Sequence, residues 1–379
     1  MKTLVNALLL NNTFSGMQYS TEFLLRALDD LLAPCSCPHR MEVLVPGNYG
    51  GRTDTGRNME VRTIPAATGS RLKRICYENF GIPRHFTKNR FDVYHASANL
   101  LPFFSTLPSV LTVHDLVPVN YPQYVPFETS VYYKLFFARS IYKATRIIAV
   151  SNKVKEDLMN RFRIDGDKVR VVYHGVENGF KRVACPERLK DIAAKYGLPE
   201  KFILFVGNLE PRKNLPRVID AFIDLRKRYG IEHKLVIAGK KAWKSNAIFD
   251  RQKPDIMKDQ VIFTGYVERE DLPGIYSLCD LFVFPSLYEG FGLPVVEAMA
   301  CEVPVLVSDE GALPEITANI YPRANAFDAK DIADKIYMLI KDPEVRKQNI
   351  SHGTERAKYF TWQKAATETL NVYEQVAGI

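Results

Sequence analysis

Residues 281–309 read LFVFPSLYEGFGLPVVEAMACEVPVLVSD, an apolar sequence interrupted by one glycine-rich turn. The run 281–284 is rich in strand-forming residues and stops at Pro285, which indicates a short buried strand. A helix is expected to open near Pro294, because proline suits the first helical turn. The apolar run 303–307 indicates a second strand. Together these segments predict the strand–turn–helix–strand unit of a parallel α/β sheet.

Two carboxylates lie inside this apolar unit, Glu289 in the turn and Glu297 in the helix. Buried glutamates are rare unless they are paired or hydrogen-bonded. The glycines allow a ligand to approach the backbone, and the start of a helix favours an anion. The pattern predicts a ligand that is both anionic and rich in hydroxyls. The alternative is a tight turn whose glutamates face water.

The same alternation of short apolar runs and amphipathic segments continues along most of the chain, which predicts βαβ units and parallel sheets. The strand candidates fall into two series, residues 3–173 and residues 202–307, with a boundary between Gly179 and Pro186. We therefore expect an α/β protein of two doubly wound domains that face each other across a cleft. Ligands are expected at the carboxyl ends of the strands.

Composition narrows the class of protein. A chain of 379 residues is long enough for two domains, and 46% hydrophobic with 25% charged residues is typical of a soluble protein. The net charge of +8 permits a phosphorylated substrate or an acidic membrane surface as partner. Nucleic acid is not expected, since no binding motif is present. Six cysteines without metal-ligand spacing indicate reduced thiols in the cytoplasm, and residues 1–10 are interpreted as a strand rather than a signal peptide.

Three further candidates follow predicted strands. Gly16 belongs to a loop, residues 11–17, whose amides are suited to a phosphate. His114 follows strand 109–113 and precedes Asp115, so it is either an oriented polar group facing the cleft or a satisfied turn histidine. Arg212 and Lys213 stand just before a helix and predict a diphosphate site that needs no metal, with a solvated basic turn as the alternative.

Basic and aromatic residues are interleaved in the segments 71–90 and 124–143. This pattern fits an amphipathic surface that docks onto acidic lipid. The alternative is a set of ordinary core helices with a basic outer face, and we favour that alternative.

These motifs give the chain a resemblance to the retaining glycosyltransferases of the GT4 family, nearest to the mannosyl- and glucosyltransferases that build bacterial O-antigens and exopolysaccharides. The resemblance spans essentially the whole chain and includes the E-x7-E pair Glu289 and Glu297. It is also carried by Ser15-Gly16, Val113 to Leu116, Ala149 to Ser151, and Gly207 to Leu215. It implies the GT-B fold of two facing Rossmann-like domains. The implied limits are 1–180 for the first domain, completed by a helix at 361–379, and 181–360 for the second.

The resemblance also implies roles for the candidate side chains. Glu297 would bind the nucleotide ribose, and Glu289 would contact donor-sugar hydroxyls near the reacting carbon. Arg212 and Lys213 would neutralise the diphosphate, and His114 would lie beside the transferred sugar and the acceptor.

Backbone groups complete the implied donor site. Gly16 would approach the diphosphate from the first domain. The sugar and phosphate would be held at Gly290, Phe291, Gly292 and Leu293, and the base at Thr264, Gly265, Tyr266 and Val267. The sequence departs from the family at Asn208, where many members carry arginine, so Arg212 would carry more of the phosphate charge.

The activity that the resemblance implies is transfer of a hexose from a nucleotide-diphosphate sugar to a hydroxyl of a glycan or lipid-linked oligosaccharide in polysaccharide biosynthesis. The transfer would retain the anomeric configuration and would need no metal or other cofactor. A UDP-hexose is favoured as donor and GDP-mannose comes next. A sugar-nucleotide epimerase and a non-catalytic nucleotide-sugar binding protein stay open as alternatives. A dinucleotide oxidoreductase is disfavoured, because the fingerprint G-x-G-x-x-G follows neither leading strand. Peripheral contact with the inner face of the membrane accompanies the acidic-lipid interpretation.

Overall fold

The computed structural model describes residues 1–10, 16–34, 37–240, 259–318 and 320–379. The chain forms two compact units. Unit 1 comprises Met1–Gly175 with Thr361–Ile379, and unit 2 comprises Val176–Phe360. The limits expected from the sequence, 1–180 with 361–379 and 181–360, place the junction slightly later in the chain.

Unit 1 is built on a parallel sheet of seven strands. The strands are β1 (Lys2–Asn6), β2 (Arg40–Pro46), β3 (Met59–Ile64), β4 (Val93–Ala96), β5 (Ser109–Val113), β6 (Arg146–Ala149) and β7 (Val169–Val171). Their order in the sheet is β3-β2-β1-β4-β5-β6-β7. The α-helices described in this unit are Gly16–Leu32, Arg71–Cys76, Ile82–Lys88, Val117–Asn120, Phe127–Lys143, Asn152–Phe162 and Trp362–Ala377.

Unit 2 is built on a second parallel sheet, of five strands. The strands are β8 (Phe202–Val206), β9 (Lys234–Ala238), β10 (Val261–Gly265), β11 (Leu281–Phe284) and β12 (Val305–Val307). Their order is β10-β9-β8-β11-β12. The α-helices described here are Pro186–Tyr196, Leu215–Tyr229, Leu272–Leu278, Leu293–Ala300, Leu313–Thr317, Ala329–Lys341 and Pro343–Ala357.

The central strands are covered on both faces. Every residue of β5 and of β8 is buried, as expected for parallel strands between two layers of helices. Both sheets have the strand order of a doubly wound Rossmann-like fold. The order reverses between β1 and β4 in unit 1 and between β8 and β11 in unit 2. Such a reversal opens a crevice at the carboxyl ends of the two strands, where ligands bind in this class of sheet.

Sequence periodicity located the strands well but not all of their ends. The strand expected within residues 1–10 already ends at Asn6, because the Asn6 carboxamide accepts a hydrogen bond from the Leu8 amide and turns the chain. In the segment 71–90, the helix Arg71–Cys76 continues as a π-helical turn, Tyr77–Gly81, before the helix Ile82–Lys88. Local patterning does not distinguish a continuous helix from one with such a turn.

The C-terminal helix Trp362–Ala377 belongs to unit 1. The Tyr373 hydroxyl lies 2.6 Å from His95 Nδ1 in β4, and His95 Nε2 lies 2.8 Å from the Thr112 hydroxyl in β5. At the start of the helix the backbone of Gly175 is so close that a Cβ atom there would lie 2.2 Å from the Trp362 amide nitrogen. Glycine is therefore required at position 175 on steric grounds.

A buried asparagine completes one edge of the second sheet. The Asn349 carboxamide accepts a hydrogen bond from the Val305 amide at 2.8 Å and donates to the carbonyls of Val305 and Tyr321 at 3.0 Å each. Because β12 is the last strand of the sheet, this side chain satisfies backbone groups that a further strand would otherwise satisfy.

We expect Asn349→Leu to destabilise unit 2, because the substitution leaves buried backbone groups of Val305 without partners. The free energy of unfolding should fall by about 3 kcal/mol, measured by urea denaturation with circular dichroism. Gln348→Leu on the exposed side of the same helix is the control and should change it by less than about 0.5 kcal/mol. Equal transition midpoints for the two variants would contradict this account of the sheet edge.

Candidate functional site

A buried ion cluster lies where the strand order of the second sheet reverses. Lys213 follows β8 and Glu289 follows β11, and their side chains meet with 2.6 Å between Nζ and Oε1. Arg212 Nη1 approaches the other carboxylate oxygen of Glu289 at 2.8 Å. The Arg212 guanidinium also donates to Glu210 Oε2 at 2.9 Å and to the Tyr288 carbonyl at 3.2 Å. Three of the predicted site residues are thus brought together at one point.

Electrostatics keep this cluster charged. Burial by itself raises the pKa of Glu289, but the adjacent Arg212 and Lys213 outweigh it and lower that pKa to about 2. Burial lowers the pKa of Lys213, and the Glu289 carboxylate opposes that decrease. Because the pKa of folded Glu289 lies below its ordinary value of 4.5, the ion pair stabilises the folded state at neutral pH. That stabilisation is lost as the pH falls from about 4.5 to about 2.

Hydrogen bonds and close backbone contacts connect the loops that carry these groups. Asn214 has φ +64°, and its carboxamide donates to the carbonyls of Pro285 and Ala326 at 2.9 and 2.6 Å. The Leu287 amide donates to the Arg212 carbonyl at 2.8 Å. Gly311 has φ +61°, and a Cβ atom there would lie 2.6 Å from the Glu289 amide nitrogen. The position of Glu289 is therefore set by backbone contacts as well as by its charge.

The helix Leu293–Ala300 begins at the predicted glycine turn. Gly292 has φ +99° and, lacking a side chain, provides no cap to the first helical turn. Gly290 and Phe291 are buried beside it, whereas Leu293 is half-buried. A helix end without a side-chain cap retains its partial positive charge for an anion.

The second predicted carboxylate belongs to a different cluster. Glu297 is buried, and its Oε1 accepts a hydrogen bond from Arg269 Nη2 at 2.8 Å. Its Oε2 accepts one from the Tyr276 hydroxyl at 3.3 Å. The guanidinium of Arg269 also forms an ion pair with Glu177 and lies 4.7 Å from the centre of the Phe180 ring. Although burial acts to lower it, the pKa of Arg269 is raised by Glu297 and Glu177.

Arg269 is a residue that the sequence analysis missed. It lies just before the helix Leu272–Leu278, in a segment for which the sequence predicted no functional role. A buried glutamate requires a cationic partner or several donors, so the prediction that Glu297 is buried indicated indirectly that such a partner exists. The identity of that cation depends on how three separate segments of the chain pack.

The segment predicted to meet the base follows β10. Gly265 has φ +72°, and its carbonyl accepts a hydrogen bond from the Gly239 amide at 2.8 Å. Tyr266 is 41% exposed with the Lys240 ammonium 4.0 Å from the centre of its ring, while Val267 is buried. The Thr264 hydroxyl donates to the Gly265 carbonyl at 3.2 Å. The segment is at the same carboxyl edge of the sheet as the ion cluster.

Two glycines allow this edge to form. At Gly239, after β9, a Cβ atom would lie 2.0 Å from the Gly207 carbonyl oxygen, and φ is +156°. Gly207 has φ +152° and follows β8 directly. Only glycine fits this close approach of neighbouring loops.

In unit 1, His114 lies at the end of β5, as predicted. Its Nε2 is 2.9 Å from the Ser97 carbonyl oxygen, and its amide donates to Asn99 Oδ1 at 2.9 Å. A carbonyl only accepts hydrogen bonds, so Nε2 carries the proton and Nδ1 carries the lone pair. Burial lowers the pKa of His114 to about 4, and the bond to Ser97 opposes this decrease, so the imidazole is neutral at pH 7.

The Ser97 carbonyl orients the His114 ring, and Asn99 binds the backbone amide of the same residue. The neighbouring Asp115 Oδ1 accepts a hydrogen bond from the Val117 amide at the start of a short helix. The His174 ring stacks on His114 with 5.3 Å between centroids.

The predicted phosphate loop is described only in part. Gly16 is exposed at the first position of the helix Gly16–Leu32, and a Cβ atom there would meet nothing within 4 Å. Residues 11–15, which include Ser15, lie outside the described part of the chain.

Among the described residues, no His, Cys, Asp and Glu side chains form a group of three or more that could hold a metal ion. Of the helices in the described segments, none is both long enough and apolar enough to cross a membrane.

The sequence is similar to known glycosyltransferases. It is 28% identical over 283 residues to O-antigen chain mannosyltransferase B of Escherichia coli, covering 74% of each chain. It is 30% identical over 262 residues to the serotype-specific mannosyltransferase WbdA of Escherichia coli. That match covers 68% of this chain but only 32% of WbdA, so the chain spans about a third of that relative's length.

Solved structures share the fold over the full length of the chain. Sucrose-phosphate synthase from Thermosynechococcus elongatus superposes with a TM-score of 0.79 at 19% identity, covering 100% of this chain and 99% of the other. HepE from Anabaena, solved with UDP and glucose, superposes with a TM-score of 0.73 at 17% identity, covering 100% of both chains. The predicted fold class, α/β of the GT-B type with two Rossmann-like domains, is confirmed.

Two family descriptions match, one for each unit. Residues 15–179 match the family described as "Glycosyltransferase Family 4", and residues 189–356 match "Glycosyl transferases group 1". Together the matches span most of the chain, and they include Gly16, His114 and both glutamates of the E-x7-E pair. The protein is therefore a glycosyltransferase, and it belongs to the GT4 family.

Proposed function

We propose that this protein transfers a hexose from a nucleotide-diphosphate sugar to a hydroxyl of a glycan or lipid-linked oligosaccharide in polysaccharide biosynthesis. The observation that carries the proposal is the cluster of Lys213, Arg212 and Glu289 at the strand reversal of the second sheet. It combines cations for a diphosphate with a carboxylate for sugar hydroxyls. The mannosyltransferases related in sequence support an O-antigen type of product.

Each group of unit 2 has a distinct part in the proposed reaction. As the bond from the anomeric carbon to the phosphate oxygen breaks, negative charge grows on the departing diphosphate. An ammonium has three donors, so Lys213 can bond both Glu289 and a phosphate oxygen. The uncapped start of the helix Leu293–Ala300 adds a partial positive charge. The backbone from Gly290 to Leu293 would hold the sugar and phosphate, and the segment Thr264 to Val267 the base.

We propose that the anomeric configuration is retained and that no metal is needed. The oxocarbenium-like sugar would accept the incoming hydroxyl on the face that the phosphate leaves, and the departing phosphate oxygen would take the proton of that hydroxyl. Arg212 and Lys213 would supply the positive charge that a divalent cation supplies in other transferases. Addition of a chelator should then leave turnover unchanged.

The donor is proposed at the level of a hexose nucleotide. A UDP-hexose was favoured from the sequence, and the UDP and glucose in HepE support that choice. The names of the mannosyltransferase relatives support a mannosyl donor instead. Turnover of a panel that includes UDP-glucose, UDP-galactose and GDP-mannose, with and without acceptor, decides the donor. Release of a free epimer without acceptor would identify an epimerase.

We expect Lys213→Ala to lower kcat by about 10²–10³-fold, because it removes a donor for the leaving diphosphate. The measurement is steady-state transfer with the donor that the panel identifies. Lys227→Ala removes the same charge from an exposed position on the helix Leu215–Tyr229 and should retain wild-type turnover. Near-normal kcat for Lys213→Ala would contradict the proposed clamp.

Substitutions of Glu297 and of Glu289 should have different effects, the first mainly on nucleotide binding and the second mainly on turnover. Glu297→Gln is expected to weaken nucleotide binding by about 10–100-fold, because it weakens hydrogen bonds between a carboxylate and the ribose hydroxyls. Glu289→Gln should instead lower kcat with a smaller change in nucleotide affinity. Calorimetric titration with UDP and GDP, together with kinetics, measures both. Unchanged affinity for Glu297→Gln would show that the assigned roles are wrong.

The neutral state of His114 leads to a prediction for how kcat depends on pH. With a pKa of about 4 rather than 6.5, the imidazole stays neutral from pH 5.5 upwards, so kcat should show no acidic limb near 6.5 that depends on His114. Profiles of wild type and His114→Gln test this. A limb near pH 6.5 in wild type that disappears in the variant would contradict it.

A further inference from the structure

A polar cluster lies where the strand order of the first sheet reverses. The reversal is between β1 and β4, and Asn6 is the last residue of β1. The Asn6 carboxamide donates to Glu78 Oε1 at 3.3 Å, and Arg74 Nε lies 3.8 Å from the same oxygen. We call Asn6, Arg74 and Glu78 the polar cluster of unit 1. Its place at a strand reversal is the one at which doubly wound sheets bind ligands.

Glu78 reaches this place from an unusual piece of backbone. It belongs to the π-helical turn Tyr77–Gly81, and π turns within helices occur frequently at functional sites. The next residue, Asn79, holds the turn in position. Its carboxamide donates to the Ile75 carbonyl at 2.8 Å and accepts a hydrogen bond from the Phe103 amide at 2.6 Å. The backbone that carries Glu78 is therefore fixed by contacts on both sides.

Arg74 and Glu78 retain unused hydrogen-bonding groups. Each of these side chains is 22% exposed. Asn6 donates to Glu78 Oε1, but none of the described residues donates to Oε2 or accepts a hydrogen bond from the Arg74 guanidinium. The Tyr132 hydroxyl also lacks a hydrogen-bond partner in the described part of the chain. Burial and Glu78 both raise the pKa of Tyr132, so this hydroxyl is close enough to the carboxylate to interact with it.

Hydrogen bonds connect the polar cluster to His114. The Ser97 hydroxyl donates to the Asn6 carbonyl at 2.7 Å, and the Ser97 carbonyl accepts a hydrogen bond from His114 Nε2 at 2.9 Å. The Asn99 carboxamide binds the His114 amide at 2.9 Å and the Tyr133 hydroxyl at 3.3 Å. The family resemblance places His114 beside the transferred sugar and the acceptor. A ligand on the polar cluster would therefore belong to the acceptor.

The charges of the cluster favour an uncharged ligand rich in hydroxyls. Arg74 and Glu78 offset each other, and the neighbouring Arg71 is engaged, since it donates to the Thr129 hydroxyl at 2.9 Å and lies 5.3 Å from the centre of the Tyr132 ring. A hydroxyl both donates and accepts hydrogen bonds, so two adjacent sugar hydroxyls match a carboxylate beside a guanidinium. As a partly exposed ion pair, Arg74 and Glu78 contribute little to stability.

We propose that Arg74 and Glu78 bind the terminal, uncharged hexose residue of the acceptor and so determine which acceptor is used. Glu78 Oε2 accepts a hydrogen bond from one hydroxyl, and Arg74 donates to a neighbouring hydroxyl. The inference rests on the proposed transfer of a hexose and deepens it, because it assigns the acceptor's sugar to two side chains of unit 1.

Acceptor kinetics test this assignment. Transfer is measured with the donor that the panel identifies, at saturation, and with the p-nitrophenyl glycosides of glucose, mannose and galactose as acceptors. Glu78→Gln keeps an oxygen for the Asn6 carboxamide but removes the charge, so it should raise the acceptor KM by about 10–100-fold. Arg74→Met should raise it by a similar factor. The affinity for the nucleotide, measured by calorimetry, should equal that of wild type in both variants.

Monodeoxy analogues of the best acceptor separate direct contact from a general defect. Removal of the hydroxyl that Glu78 binds should raise the acceptor KM of wild type but should not raise that of Glu78→Gln any further. A distorted site would instead raise the KM for all analogues alike. Equal penalties for each analogue in wild type and in Glu78→Gln would contradict the contact.

Two matched variants serve as controls. Glu60→Gln on β3 and Arg90→Met just before β4 make the same changes at exposed positions and should leave the acceptor KM unchanged. Circular dichroism and thermal unfolding of each variant verify that it is folded.

The outcomes distinguish this inference from the proposed function. An acceptor KM within about twofold of wild type for both Glu78→Gln and Arg74→Met would overturn the inference and leave the proposed transfer standing. A preference of wild type for p-nitrophenyl glucuronide over the glucoside would overturn the assignment of an uncharged sugar. If wild type turns over none of the donors in the panel, the proposed function fails and the inference fails with it.

Discussion

The pairing of Lys213 with Glu289 is the interaction on which the second unit depends. Two opposite charges are held 2.6 Å apart in a site from which water is largely excluded. Removing charges from water is costly, and the attraction between them offsets that cost only when the geometry is good and other donors assist. Arg212 provides that assistance. Loss of Glu289 would leave the buried Lys213 ammonium without its carboxylate partner.

The surrounding backbone is arranged so that this pair forms. Lys213 and Glu289 are 76 residues apart in the chain, but β8 and β11 are neighbours in the sheet and run in the same direction. Asn214 and Gly311 then fix the two loops through backbone contacts. The resulting site has its cations already neutralised by carboxylates. In the proposed reaction, a diphosphate would join this network through the remaining donors of Lys213 and Arg212, rather than enter a cluster of unpaired positive charges.

The two carboxylates of the E-x7-E pair have separate surroundings. Glu289 is held by the cations after β8, whereas Glu297 is held by Arg269 and Tyr276. Arg269 also contacts Glu177, close to the first residues of the second unit. This separation supports the proposed division between turnover and donor binding, because each carboxylate can be altered without breaking the other's ion pair.

The sequence by itself determined the parallel α/β fold, the series of strands and the strand-end positions of His114, Arg212, Lys213 and Glu289. These features are local, since apolar runs of four to five residues and glycine turns form strands and tight turns wherever they occur. Only the tertiary structure decided which distant groups meet. Arg269 as the partner of Glu297 and the Ser97 carbonyl as the acceptor for the His114 ring both depend on how separate segments pack. Sequence spacing carries no information about such contacts, because they are set by three-dimensional packing rather than by local periodicity.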